Sequence, residues 1–244
     1  MRLLVTRPEP EALKLRATLE ELGYEVTVAP LLSVSFENTD GLDLEGVQAL
    51  IATSRNGVRA LKGSAALAAA RRLPMFTVGS AGAAEARALG FETVITGAGT
   101  ASQLVAHVAS AVDPAAGLVL HLAGDKLATD LKGELEILGF RVVQRVVYRT
   151  QPAQSFPEEV VEQLAMGEIE GVILMSPRTA ATYARLVRKH GLAGSIGGIA
   201  HFCLSEAVAT PLEALGTLPV EIAAAPRLEE LLALIENTAA QSER

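Results

Sequence analysis

Short apolar runs recur along the chain at Leu3 to Val5, Ala49 to Ala52, Phe76 to Val78, Leu118 to Leu122, Val172 to Met175 and Phe202 to Leu204. Between them lie longer stretches rich in alanine and leucine, in which apolar positions return every three or four residues. Strand-length runs alternating with amphipathic segments predict an α/β protein with parallel sheets flanked by helices. Two helix ends are marked by glycine. Leu19-Glu-Glu-Leu-Gly23 and Leu135-Glu-Ile-Leu-Gly139 both place a glycine just past the last periodic leucine, where a left-handed cap costs least.

The same two endings expose an internal duplication. Gly139 follows Gly23 by 116 positions, and that offset also aligns Leu4 with Leu120, Tyr24 with Phe140 and Val26 with Val142. A second unit, Leu50-Ile-Ala-Thr-Ser54, returns as Val172-Ile-Leu-Met-Ser176 at an offset of 122. A third, Phe76 to Gly90, returns as Phe202 to Gly216 at 126. Three units in the same order, used twice, predict two similar domains. Valine-rich extended stretches at Tyr24 to Phe36 and Phe140 to Thr150 read as two crossings between them. The first domain is then residues 1–34 with 150–244, and the second, residues 35–149, is inserted in it.

Composition narrows the function classes. The 244 residues carry a formal net charge of −7, which offers no general attraction to nucleic acid or anionic lipid. Cys203 is the only cysteine, and His107, His121, His190 and His201 form no pairs at zinc-like spacing. A reducing, cytoplasmic setting is expected. Arg7 follows Arg2 too soon for a signal peptide, and no run reaches about 18 apolar residues, so neither export nor a membrane span is expected.

Catalytic motifs are largely missing. Gly79-Ser-Ala-Gly82 lacks the third glycine of a dinucleotide fingerprint, and Gly124-Asp-Lys126 has Val119 where a Walker loop needs glycine. Val78 likewise replaces the first glycine of a nucleophile elbow. What recurs is a polar, helix-opening turn after each strand: Thr6-Arg-Pro8, Thr53-Ser54, Gly79-Ser80, Gly124-Asp-Lys126, Ser176-Pro177 and Ser205-Glu206. Such turns line the ligand crevice of open parallel sheets, and free amides at helix starts favour anions. Arg7, Arg55, Lys126 and Arg178 are candidate carboxylate partners or ordinary solvated charges.

In sequence order, Leu4-Val-Thr-Arg-Pro8, Thr53-Ser-Arg-Asn-Gly-Val58, Val78-Gly79, Leu122 to Asp125, Leu138-Gly139, Val147-Tyr-Arg-Thr150 and Ser176-Pro177 resemble the uroporphyrinogen-III synthase family. The resemblance implies two similar α/β domains joined by a two-stranded β-ladder, with the second inserted in the first. It implies a lyase of porphyrin, tetrapyrrole and haem biosynthesis. The reaction closes hydroxymethylbilane to uroporphyrinogen III, inverting ring D and losing water. It also implies no metal or organic cofactor, no nucleic-acid or membrane partner, and a monomer.

Residue by residue, Tyr148 matches the family's cleft tyrosine beside the departing hydroxyl. Thr6, Arg7, Thr53, Ser54, Gly79, Ser80 and Ser176 fall in turns that hold substrate carboxylates. The chain departs from the family at Gly82, where threonine is common, and at Ala207 and Val208, where a threonine pair is common. Two other readings stay open from the residues themselves: a two-domain ligand-binding module, and a nucleotide-using enzyme.

Overall fold

The computed structural model describes residues 1–97, 100–127 and 129–242. In chain order the elements are β1 (Arg2–Val5), α1 (Glu11–Glu21), β2 (Glu25–Val28), β3 (Leu32–Phe36), β4 (Val47–Ala52), α2 (Arg55–Arg59), α3 (Leu67–Ala70), β5 (Met75–Thr77) and α4 (Ser80–Ala88). They continue as β6 (Val94–Thr96), α5 (Ala101–Ala111), β7 (Leu118–Gly124), α6 (Leu131–Ile137), β8 (Arg141–Pro152), α7 (Glu158–Ala165), β9 (Gly171–Leu174), α8 (Pro177–Lys189), β10 (Ala200–Cys203), α9 (Glu206–Ala209), β11 (Val220–Ile222) and α10 (Leu228–Ser242). No helix among the described residues is long and apolar enough to cross a membrane.

These elements form two compact units, one of residues 1–33 with 151–244 and the other of residues 34–150. The first holds a five-stranded sheet in the order β11-β10-β9-β1-β2, the second a six-stranded sheet in the order β3-β8-β7-β4-β5-β6. All pairings from β8 to β6, and all those of the first unit, are parallel. Leucines, valines and isoleucines pointing to alternate sides of each sheet build one core layer on either face.

Strand registers repeat between the units. Leu3 pairs with Gly171, and Val119, 116 positions on from Leu3, pairs with Ala49, 122 positions back from Gly171. Val172 beside His201 becomes Leu50 beside Met75, and His201 beside Val220 becomes Met75 beside Val94. Leu3 beside Val26 becomes Val119 beside Val142. The duplication therefore extends from sequence into hydrogen-bond register, and each unit takes its first βαβ segment from the opposite half of the chain. Gly23 and Gly139 close the equivalent helices α1 and α6 at φ of 87° and 86°.

One stretch differs from the sequence reading. Tyr24 to Phe36 is not continuous: the chain leaves β2 at Val28, passes Ala29-Pro30-Leu31 and resumes as β3, because Pro30 has no N–H to give a ladder. Its counterpart β8 runs unbroken for 12 residues. The Glu37 amide donates to the Val147 carbonyl and the Ala153 amide to the Leu31 carbonyl, so β3 runs antiparallel beside β8.

Candidate active site

In each sheet the strand order reverses once: between β1 and β9 in the first unit, and between β7 and β4 in the second. At such a point the connections leave in opposite directions and open a crevice at the carboxyl ends of the strands. The second unit has a cavity of about 310 Å³ there, at the small end of ligand-pocket sizes. Thr53 and Ser54 line it from the turn after β4, Val78 from just past β5, His121 from within β7, Lys126, Leu127 and Thr129 from the following turn, and Tyr148 from β8. A larger hollow of about 530 Å³ lies beside α8, away from the strand ends. Its cations Arg185, Arg188 and Lys189 donate to the carbonyls of Ala153, Ala214 and Gln154, so it is a seam between helix and turns.

Tyr148 is placed by a local irregularity. The β7–β8 register shifts between Ala123 and Gly124, so that Ala123 faces Val146 while Gly124 faces Tyr148. The extra residue turns Val147 and Tyr148 both inward, and Tyr148 keeps only 9 % of its surface exposed. Its ring lies over Gly124, where an added Cβ would come within 2.6 Å of the tyrosine Cζ. From the next residue the Asp125 amide donates to the Tyr148 carbonyl, and the Asp125 carboxylate accepts from the Thr150 amide. The hydroxyl of Tyr148 makes no hydrogen bond to another described residue, leaving it available at the cavity wall.

The turn hydroxyls are partly committed to the fold. Ser54 caps α2 by accepting from the Asn56 amide at 3.2 Å, and Ser176 caps α8 by accepting from the Thr179 amide at 3.2 Å. Ser176 Oγ also shares a hydrogen with Thr179 Oγ1 at 2.7 Å. Thr6 is buried, its hydroxyl donating to the Ile173 carbonyl at 2.6 Å, while Arg7 Nη1 meets Met175 Sδ at 3.3 Å. Gly79 precedes α4 in an extended conformation with φ of −145°, and an added Cβ there would meet nothing within 4 Å. Its own turn therefore needs no glycine. Ser80 is exposed at the first position of α4. Thr53, Ser54 and Tyr148 come together in the cavity of the second unit, Gly79 and Ser80 follow the neighbouring strand β5, and Thr6, Arg7 and Ser176 belong to the first unit. At Gly82 an added Cβ would sit 3.2 Å from that of Thr77, so Thr77 occupies the space a threonine at 82 would use.

Two cavity residues carry more than the sequence reading gave them. Lys126 makes no ion pair with a described residue. His121 is 1 % exposed, and neither ring nitrogen has a hydrogen-bond partner. Burial pushes its pKa down to about 4, against a weaker upward pull from Gln144, its neighbour on β8. The ring is therefore neutral near pH 7, and neither nitrogen makes a hydrogen bond of good distance and angle. Counting histidines for metal-ligand spacing could not find it, whereas the duplication offset could: 116 positions before His121 stands Val5, fully buried and apolar.

The family model for uroporphyrinogen-III synthase HemD matches residues 14–233. None of the curated protein sequences matches significantly. Among solved structures, uroporphyrinogen-III synthetase from Helicobacter pylori aligns over 98 % of this chain and 100 % of its own, at 20 % identity and a TM-score of 0.69. A mutant uroporphyrinogen III synthase from the extremely thermophilic bacterium Thermus thermophilus aligns over 100 % of both chains, at 18 % identity and a TM-score of 0.62. At those identities the structures speak for the fold alone, α/β with parallel sheets flanked by helices, while the family model spans most of the sequence. By that match, the chain belongs to the uroporphyrinogen-III synthase family.

Proposed function

We propose that the protein closes hydroxymethylbilane to uroporphyrinogen III, inverting ring D and releasing one water. The observation that carries this reading is the cavity at the β7/β4 reversal, into which a positioned tyrosine projects beside the polar turn Thr53-Ser54. A linear tetrapyrrole needs little from a nucleophile, because its own rings supply the electrons. The pyrrole nitrogen pushes out the terminal hydroxyl, the carbon–oxygen bond breaks, and an azafulvenium cation forms. Tyr148 hydrogen-bonds the departing oxygen, which leaves as water once it has gained a proton. The substituted carbon of ring D then attacks to give a spiro intermediate, which fragments and recloses with ring D inverted, the last proton leaving from that ring.

Unguided, the same cation closes to the uninverted isomer. The protein's contribution is to hold one fold of a flexible chain, an orientation effect that requires several weak contacts in fixed places. Carboxylates of the substrate lie against helix starts at Thr53-Ser54, Gly79-Ser80 and Ser176, chiefly on backbone amides, since the hydroxyls of Ser54 and Ser176 already cap their own helices. Thr6 contributes through its backbone, and Arg7 and Lys126 supply positive charge. The protein acts in the cytoplasm as a monomer, without metal or organic cofactor.

The test is to supply hydroxymethylbilane and separate the products by chromatography. A raised share of the type III isomer, retained after dialysis against chelator, is expected. A product mixture equal to the spontaneous one defeats the reading.

A further inference from the structure

Among the described residues, the only buried side-chain nitrogens without a hydrogen-bond partner belong to His121. The fold does not require a polar group at that position. In the first unit the equivalent residue is Val5, paired with Ile173 as His121 is paired with Ile51, and Val5 sits fully buried in an apolar cluster. The second unit therefore accepts the cost of two desolvated nitrogens on a central strand where an aliphatic side chain serves its counterpart. The compensating feature is the cavity, which His121 lines together with Tyr148.

Chemistry selects what the imidazole meets there. A neutral imidazole offers one acceptor and one donor, and no charge. A carboxylate carried that deep would lose its hydration without gaining a counter-charge, an unfavourable exchange, whereas amides and Lys126 stand at the turns. A polar but uncharged donor in a flat apolar body suits the site better, and each pyrrole of a tetrapyrrole carries one as its ring N–H. We propose that His121 is a substrate-contacting residue of the second unit, its imidazole accepting a hydrogen bond from the N–H of one pyrrole ring lodged in the cavity. This rests on the synthase reading above. The contact fixes which ring lies beside Tyr148, and so bears on which isomer forms.

The experiment compares the wild-type protein with His121→Leu, which removes the acceptor at similar size, and His121→Gln, which restores a polar side chain able to accept. Wild type must first raise the type III share from hydroxymethylbilane; if it does not, the function and this inference fall together. With that control met, His121→Leu is expected to melt at or above the wild-type temperature. It should also raise KM about tenfold, the scale of one hydrogen bond left unmade, and lower the type III share, with His121→Gln in between. A folded His121→Leu protein with unchanged KM and isomer ratio overturns the inference and leaves the synthase reading intact. Should His121→Leu not fold, the wild-type protein labelled with ¹⁵N-histidine gives the answer. Anaerobic titration with uroporphyrinogen III is expected to shift the acceptor nitrogen of His121, and ring resonances unmoved at saturation overturn the inference.

Discussion

Each unit buries one histidine in its sheet, and the two are kept in opposite ways. In the first unit His201 Nε2 faces the Tyr183 hydroxyl at 3.1 Å, and Nδ1 meets the Pro219 carbonyl at 3.3 Å. The carbonyl can only accept, so Nδ1 carries the proton and Nε2 receives the tyrosine O–H; both nitrogens are used. In the second unit His121 has neither partner, though burial pushes both rings to a pKa of about 4. Desolvation alone does not separate a structural histidine from one held for a ligand. The hydrogen-bond inventory does; the repeat alone does not, since His201 corresponds to apolar Met75 just as His121 corresponds to apolar Val5.

The largest test of that contrast is acid. Unfolded histidine gains a proton near its ordinary pKa of about 6.5, while these two resist it until about 4, so in that window the unfolded chain binds more protons and stability falls as pH falls. Each ring contributes about 1.4 kcal/mol per pH unit, and nothing further below the folded pKa. Denaturant unfolding at pH 7 and pH 5 should show His121→Leu losing less stability than wild type by about 2 kcal/mol. Equal losses would mean that His121 titrates normally in the folded protein.

Gly124→Ala acts on rate instead of stability. An alanine Cβ there collides with the ring of Tyr148, which must move; the hydroxyl then leaves its place and the displaced ring also crowds the cavity it lines, and misplacement of about 1 Å at a reacting group can cost about a hundredfold in rate. Turnover should fall on that scale with the fold retained by circular dichroism; a wild-type rate would show that the position of Tyr148 is unimportant. Tyr183→Phe deliberately makes His201 resemble His121 by emptying its Nε2. It should cost about 1–3 kcal/mol, read as a lower melting temperature, with the isomer ratio unchanged because His201 belongs to the core. Smallest is Tyr148→Phe, which removes one hydrogen bond to a group that departs readily and should slow turnover about tenfold. An unchanged rate would reduce Tyr148 to a strand residue.

How far the sequence foretold this depends on whether a feature is periodic. Glycines closing α1 and α6 and the offsets of 116, 122 and 126 exposed the repeat, because register follows hydrophobic pattern, whereas the exchange of first segments between halves was read from the two extended stretches that follow them. The break at Pro30 was visible as a proline, yet the valines around it read as one extended run. The shift beside Gly124 was not legible, since a bulge is a single unpaired residue that leaves the pattern of apolar positions almost unaltered. His121 was legible only by comparing the halves position by position, because a histidine inside an apolar strand has the same appearance whether or not its nitrogens are satisfied.

The account turns on the cavity of the second unit being where the tetrapyrrole sits, and backbone hydrogen–deuterium exchange with and without saturating anaerobic uroporphyrinogen III reads that directly. Slower exchange is predicted at the amides of Thr53, Ser54, Lys126 and Leu127, which line the cavity. Saturation with no change at those amides would contradict it.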